Sequence, residues 1–266
     1  MNKIFIDAIL PLYKPDESAL NEMLESLSLQ VFKNFRLIII DDTPENDYVK
    51  KCLGKRDDIL IDYYHNAQKI GLSESLNLAL NYVESDLIAR CDGDDVYHPQ
   101  RFNIQYKFFD KNKDLDICGT NIIKINKTGD SIGTRVYPEK DKKIKSNLHI
   151  YNTIAHPTVM FRRRVIEVLE GYSTKTDIED YDLWFRAKNK EMIFHNIQEN
   201  LCSMRVVDKF EHSRPRHHRE NLKLKLRYFD KGYFLHSMIG LFIFSLTAIL
   251  PHNLSNYLFR ITNYIR

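Results

Sequence analysis

The segment "LIARCDGDDVYHPQRF", residues 87–102, carries Asp92, Asp94 and Asp95 within four positions. Carboxylates this close repel each other unless a cation lies between them, and oxygen ligands suit Mg²⁺ or Mn²⁺. Magnesium is usually shared between one or two protein carboxylates and substrate phosphates, so the cluster predicts a metal site that holds a diphosphate. An acidic surface turn at Gly93 is the alternative. A calcium loop is excluded because later ligands at alternating spacing are missing.

Two further acidic pairs are placed where a substrate could be bound. Asp41 and Asp42 follow the apolar run "RLIII", where a carboxylate can accept hydrogen bonds from a base or a ribose. The same stretch, "DDTP", is also good turn chemistry. Glu179 and Asp180 open the segment "EDYDLW". This pair suits either a general base or the ordinary negative charge of a helix N-terminus.

Histidines and arginines supply weaker candidates. His156 stands before Pro157 and an apolar segment, a setting in which histidine is more often structural than a substrate contact. The segment "RPRHHRE", residues 214–220, includes His217. It could provide a metal-ligating histidine or arginine contacts to phosphate, or it could be a solvated basic helix.

A regular alternation of strands and helices must position these acids. Apolar runs predict strands at 4–10, 36–42, 58–65, 86–92 and 115–126. Helical spacing predicts helices at 18–30, at 73–83 with Ser73 as N-cap, and at 99–112 with Pro99 in the first turn. The alternation predicts a doubly wound, mainly parallel sheet, which binds ligands at the carboxyl ends of its strands. Both strand-end acidic groups fall there.

The pattern becomes looser after residue 126. Residues 126–143 are polar and contain glycines, so they predict a loop or a hairpin. Residues 156–172 predict a strand that continues into a helix, and residues 178–190 predict a helix that is acidic at its start.

Composition limits the classes of protein that fit. A chain of 266 residues suits one large domain, alone or with an appendage. The net charge is only +3, but residues 205–231 hold nine Lys or Arg against four Asp or Glu. This run predicts an anionic partner or a solvated basic face. The four widely spaced cysteines form no CxxC pair, which disfavours a zinc site and favours a reducing, cytoplasmic compartment.

The two ends of the chain raise the question of membranes. Asp7 interrupts the first apolar run and no small-residue cleavage site follows, so we expect no signal peptide. Residues 233–251 are mostly apolar and reach the lower limit for a membrane span. Because serine, threonine and histidine dilute them, we favour a helix that lies on or dips into the membrane. A buried core helix is the alternative.

In chain order, four segments resemble the family 2 inverting glycosyltransferases, which have the GT-A fold. They are "AILPLYKPDESALNEMLESLSLQVFKNFRLIIIDDTP", "NAQKIGLSESLNLALNYVESDLIARCDGDDVYHPQRF", "HPTVMFRR" and "EDYDLWFR", the second with a DxDD form of the DxD motif. Each is weak alone, and the ordered set is specific. The resemblance implies a catalytic domain at 1–210, with a nucleotide-binding half at about 1–126 and an acceptor half at about 127–210. Residues 211–266 would form a helical, membrane-associated extension.

The resemblance also implies roles for individual residues. Asp180 would be the general base, and Asp94, with Asp92, would ligate Mn²⁺ or Mg²⁺, while Asp95 would ligate through water or only shape the loop. The residues that would bind the nucleotide sugar are Pro11, Tyr13, Asp42, Gly71, Asn77 and Asp92. Candidate contacts to the acceptor or the diphosphate are Glu179, His156, Trp184, Arg205 and His217.

The sequence departs from the usual family pattern at two places. "DDTP" stands where the family often has "DDGS", although the aspartate pair is kept. Some relatives carry "YRxH" near the C-terminus, whereas "SMRVVDKFEH" has Arg205 but no histidine at the matching place. His212, His217 or His218 could take the place of that histidine.

The resemblance is nearest to bacterial enzymes that build O-antigen or capsule repeat units. We expect transfer of a hexose, with a UDP-sugar favoured as donor. The basic and then apolar C-terminus suits a polyprenyl-diphosphate-linked sugar as acceptor, and an oligosaccharide is the other candidate. The enzyme would be cytoplasmic and peripheral to the inner face of the cell membrane, with no nucleic-acid partner. A sugar-phosphate nucleotidyltransferase is the enzyme alternative, but it would need a glycine-rich loop where "PLYKPDESAL" has none. A non-catalytic, membrane-associated protein that binds sugar nucleotides is the other alternative.

Overall fold

A computed structural model describes residues 5–44, 48–54, 56, 58–206 and 214–249. Its strands are β1 (Ile6–Leu12), β2 (Phe35–Asp41), β3 (Leu60–His65), β4 (Leu87–Arg90), β5 (Val96–Tyr97), β6 (Ile117–Ile125), β7 (Ser131–Arg135), β8 (Met160–Arg162) and β9 (Phe194–Arg205). Its α-helices are α1 (Glu17–Ser28), α2 (Tyr48–Leu53), α3 (Leu72–Leu80), α4 (Arg101–Lys111), α5 (Asp141–Leu148), α6 (Arg163–Leu169), α7 (Glu179–Asn189), α8 (Arg214–Arg227) and α9 (Phe234–Ile249).

All of these strands join one sheet. Its order is β3-β2-β1-β4-β8-β6-β9-β5, and β7 pairs with β6 outside this path. The strands β1 to β4 run parallel, and β6 and β9 also pair in parallel. The short strand β8 is antiparallel to both β4 and β6 and therefore links the two parallel parts. The predicted doubly wound, mainly parallel sheet is confirmed.

The apolar run of β2 fits a strand that is paired on both sides and covered on both faces. Leu37 and Ile39 belong to the core cluster under α1 and α4, whereas Ile38 and Ile40 belong to the cluster under α3, α6 and α7. Alternate side chains of a strand point to opposite faces, so a continuous apolar run fills both layers. Asp41 and Asp42 therefore lie where the carboxyl ends of the parallel strands meet.

The start of α3 differs from the prediction. Ser73 was expected as the N-cap, but the cap residue is Gly71, which makes no side-chain capping bond. Gly71 has a φ of +96°, a conformation that other residues rarely adopt. The helix therefore begins where the backbone turns at a glycine and not where a serine hydroxyl could cap it.

The second half of the chain contains both confirmed and unpredicted elements. Residues 126–143 include the predicted hairpin, because β6 and β7 are antiparallel neighbours. The helix α5 and the long strand β9 were not predicted. The register of β9 against β6 shifts near Thr120 and Asn121, which breaks the alternation that would have revealed a strand.

The C-terminal helices α8 and α9 pack on the rest of the protein. Leu224 and Phe244 are buried, whereas Leu235, Met238 and Phe242 on another side of α9 are exposed. One face of α9 is therefore buried, as in the core-helix alternative, and another face is exposed, while the predicted membrane contact stays a prediction. Across the described ranges, no helix is both long enough and apolar enough to traverse a bilayer.

Candidate active site

Asp42 fixes the loop that leads into α3. One of its carboxylate oxygens accepts hydrogen bonds from Asn66 Nδ2 at 3.0 Å and from the Ile70 N–H at 2.7 Å. The other oxygen accepts from the Gly71 N–H at 2.7 Å. A carboxylate has about four acceptor positions, so the predicted bond from a base to Asp42 would be its fourth. The preceding Asp41 is fully buried.

Tyr13 lies just beyond β1 and presents an aromatic face beside Asp42's loop. It is 44% exposed, and Lys69 Nζ lies 3.8 Å from its ring centroid. Lys14 Nζ lies 5.5 Å from the same centroid. Pro11, the other predicted member of this pocket, is half-buried in β1. An aromatic ring flanked by two lysines suits a base and its phosphates.

Arg90, at the end of β4, holds the first aspartate of the acidic cluster. Its Nη2 lies 2.6 Å from Asp92 Oδ1, and the Asp92 N–H donates to the Tyr97 hydroxyl at 2.6 Å. Arg90 is only 3% exposed, and its Nε and Nη1 have no hydrogen-bond partner among the described residues. Arg90 is therefore a buried cation directed at the carboxylate of Asp92.

The other residues of the cluster, Gly93, Asp94 and Asp95, differ in how they are placed. A Cβ at Gly93 would lie 2.5 Å from Leu12 Cδ2, so glycine lets this loop pack against β1. Asp94 remains half-buried at the surface of the loop. Asp95 turns inward and its Oδ1 accepts from the Arg205 N–H at 2.8 Å. Burial, with the charges of Asp92 and Asp94, raises the pKa of Asp95 well above its usual value. Asp95 therefore shapes the loop.

Arg205 ties this loop to the neighbouring hairpin. Its Nε donates to the carbonyl oxygen of Asp94 at 2.9 Å. Its Nη1 donates to the carbonyl oxygens of Asn126 and Lys127 at 3.0 and 2.8 Å, and its Nη2 bonds the Glu22 carboxylate. The guanidinium group of Arg205 therefore supports the aspartate loop, and its predicted contact to the acceptor or the diphosphate stays a prediction.

Asp180 lies in the first turn of α7 and is held at both oxygens. Its Oδ2 accepts a hydrogen bond from Asn152 Nδ2 at 2.7 Å, and its Oδ1 accepts from the Tyr181 N–H at 2.7 Å. Burial raises the pKa of Asp180 although both of these bonds lower it. A carboxylate that is fixed in place and more basic than usual has the properties of a general base.

Glu179 precedes Asp180 and is 8% exposed. Burial, followed by the charge of Asp180, raises the pKa of Glu179 to about 8. Near neutral pH this side chain is therefore mainly protonated. A neutral Glu179 limits the repulsion within the pair and leaves the negative charge on Asp180.

The raised pKa of Glu179 predicts a pH-dependent stability. The unfolded chain loses this proton near its usual pKa of 4.5, whereas the folded protein keeps it until about pH 8. Stability should therefore fall as pH rises from about 4.5 to about 8. Glu179→Gln stays neutral, so the free energy of unfolding of the variant, measured with urea, should rise relative to wild type over this interval. An equal difference at pH 5 and pH 8.5 would contradict the shift.

Asp92 and the Glu179–Asp180 pair interact electrostatically. Burial is the main cause of the raised pKa values of Glu179 and Asp180, and the charge of Asp92 adds to both shifts. Arg90 acts in the opposite direction on Glu179. Asp92 and the predicted base are thus electrostatically coupled, with the buried Arg90, which was not predicted, paired to Asp92.

His156 and Asn77 support this region from within the protein. His156 Nε2 lies 3.0 Å from the Tyr172 hydroxyl, and burial, with Arg90, lowers the pKa of His156 well below its usual value. Asn77 Nδ2 donates to the Tyr172 carbonyl oxygen at 2.9 Å, while Asn77 Oδ1 accepts from the Tyr172 N–H at 2.8 Å. Asn77 therefore fixes the backbone at Tyr172, and its predicted contact with the nucleotide sugar stays a prediction.

Two other candidates have different outcomes. Trp184 of α7 is fully buried and packs in the core, and its predicted contact to the acceptor or the diphosphate stays a prediction. The indole lies on the inward face of the helix. The side chain of His217, like His212, lies outside the described residues.

Arg90, Asn152 and Lys69 were missed by sequence reasoning. Arg90 carried a usable signal, because it is a charged residue in the apolar run before Asp92 and shares a strand face with Ile88. Asn152 and Lys69 lie in loops, and nothing in the local sequence marks them as neighbours of Asp180 or Tyr13.

Comparison with known proteins gives the family. The model of Glycosyl transferase family 2 matches residues 7–169. The O-antigen biosynthesis glycosyltransferase WbnJ of Escherichia coli is 35% identical over 189 residues, which cover 70% of this chain and 74% of WbnJ. The E. coli UDP-Gal:alpha-D-GlcNAc-diphosphoundecaprenol beta-1,3-galactosyltransferase is 28% identical over 190 residues, which cover 70% of this chain and 68% of that enzyme.

A solved structure confirms the fold. The mannosyltransferase PcManGT from Pyrobaculum calidifontis, in complex with GDP-Man and Mn²⁺, superposes with a TM-score of 0.68 at 12% identity, over 98% of this chain and 80% of that chain. The sheet is that of the GT-A fold. The predicted resemblance is confirmed: this chain belongs to glycosyltransferase family 2.

Proposed function

We propose that this enzyme transfers a hexosyl group from a nucleotide-diphosphate sugar, with inversion, to a sugar acceptor. We favour a UDP-sugar donor and a polyprenyl-diphosphate-linked acceptor in O-antigen or capsular polysaccharide synthesis. The observation that carries the proposal is that Asp92 and the Glu179–Asp180 pair share one electrostatic environment. The proposed site for an anionic leaving group and the proposed base for an incoming hydroxyl are therefore close enough to influence each other's charge.

Asp180 is the proposed base. It accepts the proton of the acceptor hydroxyl while that oxygen bonds to the anomeric carbon and the bond from this carbon to the diphosphate oxygen breaks. The hydrogen bonds from Asn152 and Tyr181 hold the carboxylate during the transfer. A single displacement from the side opposite the leaving group inverts the anomeric carbon, unlike the double displacement that uses a carboxylate nucleophile.

Asp92 and Asp94 are the proposed ligands of Mg²⁺ or Mn²⁺. They fit such an ion because both are carboxylates that are only half-buried at the end of β4. No group of three or more ligating side chains occurs in the described part of the chain. A site with two protein carboxylates, completed by water and phosphate, is the usual arrangement for Mg²⁺. When bound, the ion would offset negative charge on the leaving diphosphate.

Tyr13, Lys69 and Asp42 support the nucleotide end of the proposal. The exposed face of Tyr13 offers a stacking surface, and Lys69 brings a positive charge to it. The positive φ of Gly71 lets the loop before α3 turn sharply, and the Gly71 N–H donates a hydrogen bond to the Asp42 carboxylate. The donor is proposed as a UDP-sugar because the name of one E. coli relative specifies UDP-Gal.

A nucleotide-sugar screen tests the proposal. The purified protein would be assayed with UDP- and GDP-hexoses, with and without Mn²⁺, against a synthetic lipid-diphosphate GlcNAc or GalNAc. We expect Mn²⁺-dependent transfer, and Asp94→Ala should lower kcat/KM by about 10²-fold or more because it removes a metal ligand. Full metal-dependent transfer by Asp94→Ala would overturn the metal assignment. Donor binding without transfer would favour the non-catalytic alternative.

The outer face of α9 is the proposed contact with the membrane. Leu235, Met238 and Phe242 are 68%, 45% and 67% exposed, and Arg227 and Lys231 lie near the start of this helix. An apolar face beside cations suits the inner surface of a bilayer that contains anionic lipids. It would bring the enzyme to a lipid-linked acceptor.

Vesicle flotation tests the membrane contact. Leu235→Ser combined with Phe242→Ser should weaken binding to phosphatidylglycerol-containing vesicles by about tenfold or more, because each buried side chain contributes about 1.5–3 kcal/mol. Ile132→Ser, at a residue of β7 that is 57% exposed, is the matched control and should not change binding. Equal flotation of all three proteins would exclude this face as the contact.

A further inference from the structure

Lys225 of α8 is a buried lysine that joins two separate segments of the protein. It is 3% exposed, and its Nζ donates to the Leu148 carbonyl oxygen at 2.6 Å and to the Tyr181 hydroxyl. The Tyr181 hydroxyl itself donates to the Leu148 carbonyl oxygen at 2.5 Å. The three groups form a closed set of hydrogen bonds at the end of α5 and the start of α7.

These two segments are the ones that hold Asp180. The N–H of Tyr181 donates to one of its carboxylate oxygens, and Asn152, four residues after Leu148, donates to the other. Lys225 therefore connects the two sources of hydrogen bonds to Asp180, although it lies outside the catalytic region in sequence. A shift of either segment would turn the carboxylate.

The helix α9 also contacts this segment, at His149. The Ser237 hydroxyl lies 3.0 Å from His149 Nδ1, and the His149 ring stacks on Tyr233 at 5.2 Å between centroids. Gly240 faces the carbonyl oxygen of His149 so closely that a Cβ there would overlap it. The segment that begins at Leu148 is thus fixed by both C-terminal helices.

We propose that Lys225 is a positioning residue for Asp180, so that the C-terminal helices are part of the acceptor side of the active site. The inference rests on the proposed role of Asp180 as the base. Lys225 acts through Tyr181 and through the segment that contains Asn152, and it touches neither substrate nor metal. An enzyme of this kind needs its C-terminal helices for turnover even when the acceptor is soluble.

The surroundings of Lys225 favour a specific role for its amine. Nζ lies 4.2, 5.2 and 5.6 Å from the ring centroids of Tyr181, Phe185 and Phe244. Burial lowers the pKa of Lys225 well below its usual value. A buried amine is costly where packing alone is required, since a methionine would fill the same space without a polar group to satisfy.

The test compares binding with turnover in matched variants. Lys225→Met removes the amine and keeps most of the volume, and Tyr181→Phe removes only the hydroxyl. Lys223→Met on the same helix is the control, because Lys223 is exposed and pairs with Glu220 within α8. Each protein would be checked by circular dichroism and thermal unfolding. UDP affinity in the presence of Mn²⁺ and kcat with a soluble acceptor would then be measured.

We expect kcat to fall about tenfold or more in Lys225→Met and Tyr181→Phe, because small displacements of a catalytic group have large effects on rate. UDP affinity should stay within about twofold of wild type, since the donor side is untouched. Unchanged kcat in both variants, or an equal loss of UDP affinity and kcat, would overturn the inference. Tyr181→Phe decides the question if Lys225→Met does not fold. Absence of transfer by the wild type would overturn the proposed function and this inference with it.

Discussion

Asp180→Asn is expected to lower kcat by about 10²–10⁴-fold, the range that a positioned general base contributes. Asparagine keeps the shape of the side chain and can still accept the hydrogen bonds from Asn152 or Tyr181 at its oxygen. It cannot take a proton from the acceptor hydroxyl. UDP affinity in the presence of Mn²⁺ should therefore stay near that of wild type while transfer is lost, as measured by calorimetry and by a product assay.

Asp177→Asn is the matched control for this experiment. Asp177 is an exposed acid shortly before α7, so its replacement changes the net charge by the same amount. We expect kcat and UDP affinity of this control to equal those of wild type. A loss of UDP affinity in Asp180→Asn would move Asp180 to the donor side of the site and would leave the base unassigned.

Arg90→Met is expected to lower kcat/KM by about 10²–10³-fold, the range found when one preorganised charged or polar group is removed from an active site. Without the guanidinium group, the Asp92 carboxylate loses its 2.6 Å ion pair and its fixed orientation. The acids around the site also lose a buried cation, so a bound diphosphate meets stronger repulsion. The loss should appear in steady-state kinetics with a UDP-sugar.

The stability of the same variant should behave differently. Breaking a buried ion pair usually costs about 3–5 kcal/mol because the remaining charge is left unpaired. The Asp92 side chain, however, is 32% exposed and can be solvated, and Arg90 itself has two unpaired nitrogen atoms. We therefore expect little loss of unfolding free energy in urea. A large loss with unchanged kinetics would show that Arg90 serves only the fold.

Arg36→Met provides the contrast. Arg36 lies on β2 and bonds the fully buried Asp7 through Nε at 2.9 Å and Nη2 at 3.2 Å. Its removal leaves that carboxylate without a counter-charge in the core. We expect Arg36→Met to lose stability while the KM for the UDP-sugar is kept, the reverse of the result for Arg90→Met.

The sequence predicted those parts of the site in which one short segment holds the whole signal. The apolar run that ends at Asp92 and the pair at Glu179 each show their strand or helix and their acids together. Their neighbours could not be predicted in this way. Asn152 comes from an irregular segment, and Lys225 becomes a neighbour of Tyr181 only through the packing of α8. Their positions depend on tertiary contacts that no local pattern records.

Trp184 and Arg205 are two predicted substrate contacts whose side chains are already engaged within the fold. Trp184 stands in the segment "EDYDLWFR", and Arg205 in the stretch compared with "YRxH". Helix periodicity turns Trp184 toward the core, and Arg205 is drawn to the backbone carbonyl oxygens behind the aspartate loop. Proximity along the chain does not decide which face of an element a side chain occupies.

The bond between Asp95 and the N–H of Arg205 has a consequence for how the protein folds. These residues are separated by 110 positions, and β9 pairs with both β5 and β6. Contacts between distant segments form slowly, because a long loop must close before the contact can stabilise it. We expect the aspartate loop to reach its final shape late, after β9 has left the ribosome, so that incomplete chains bind nucleotide sugars poorly.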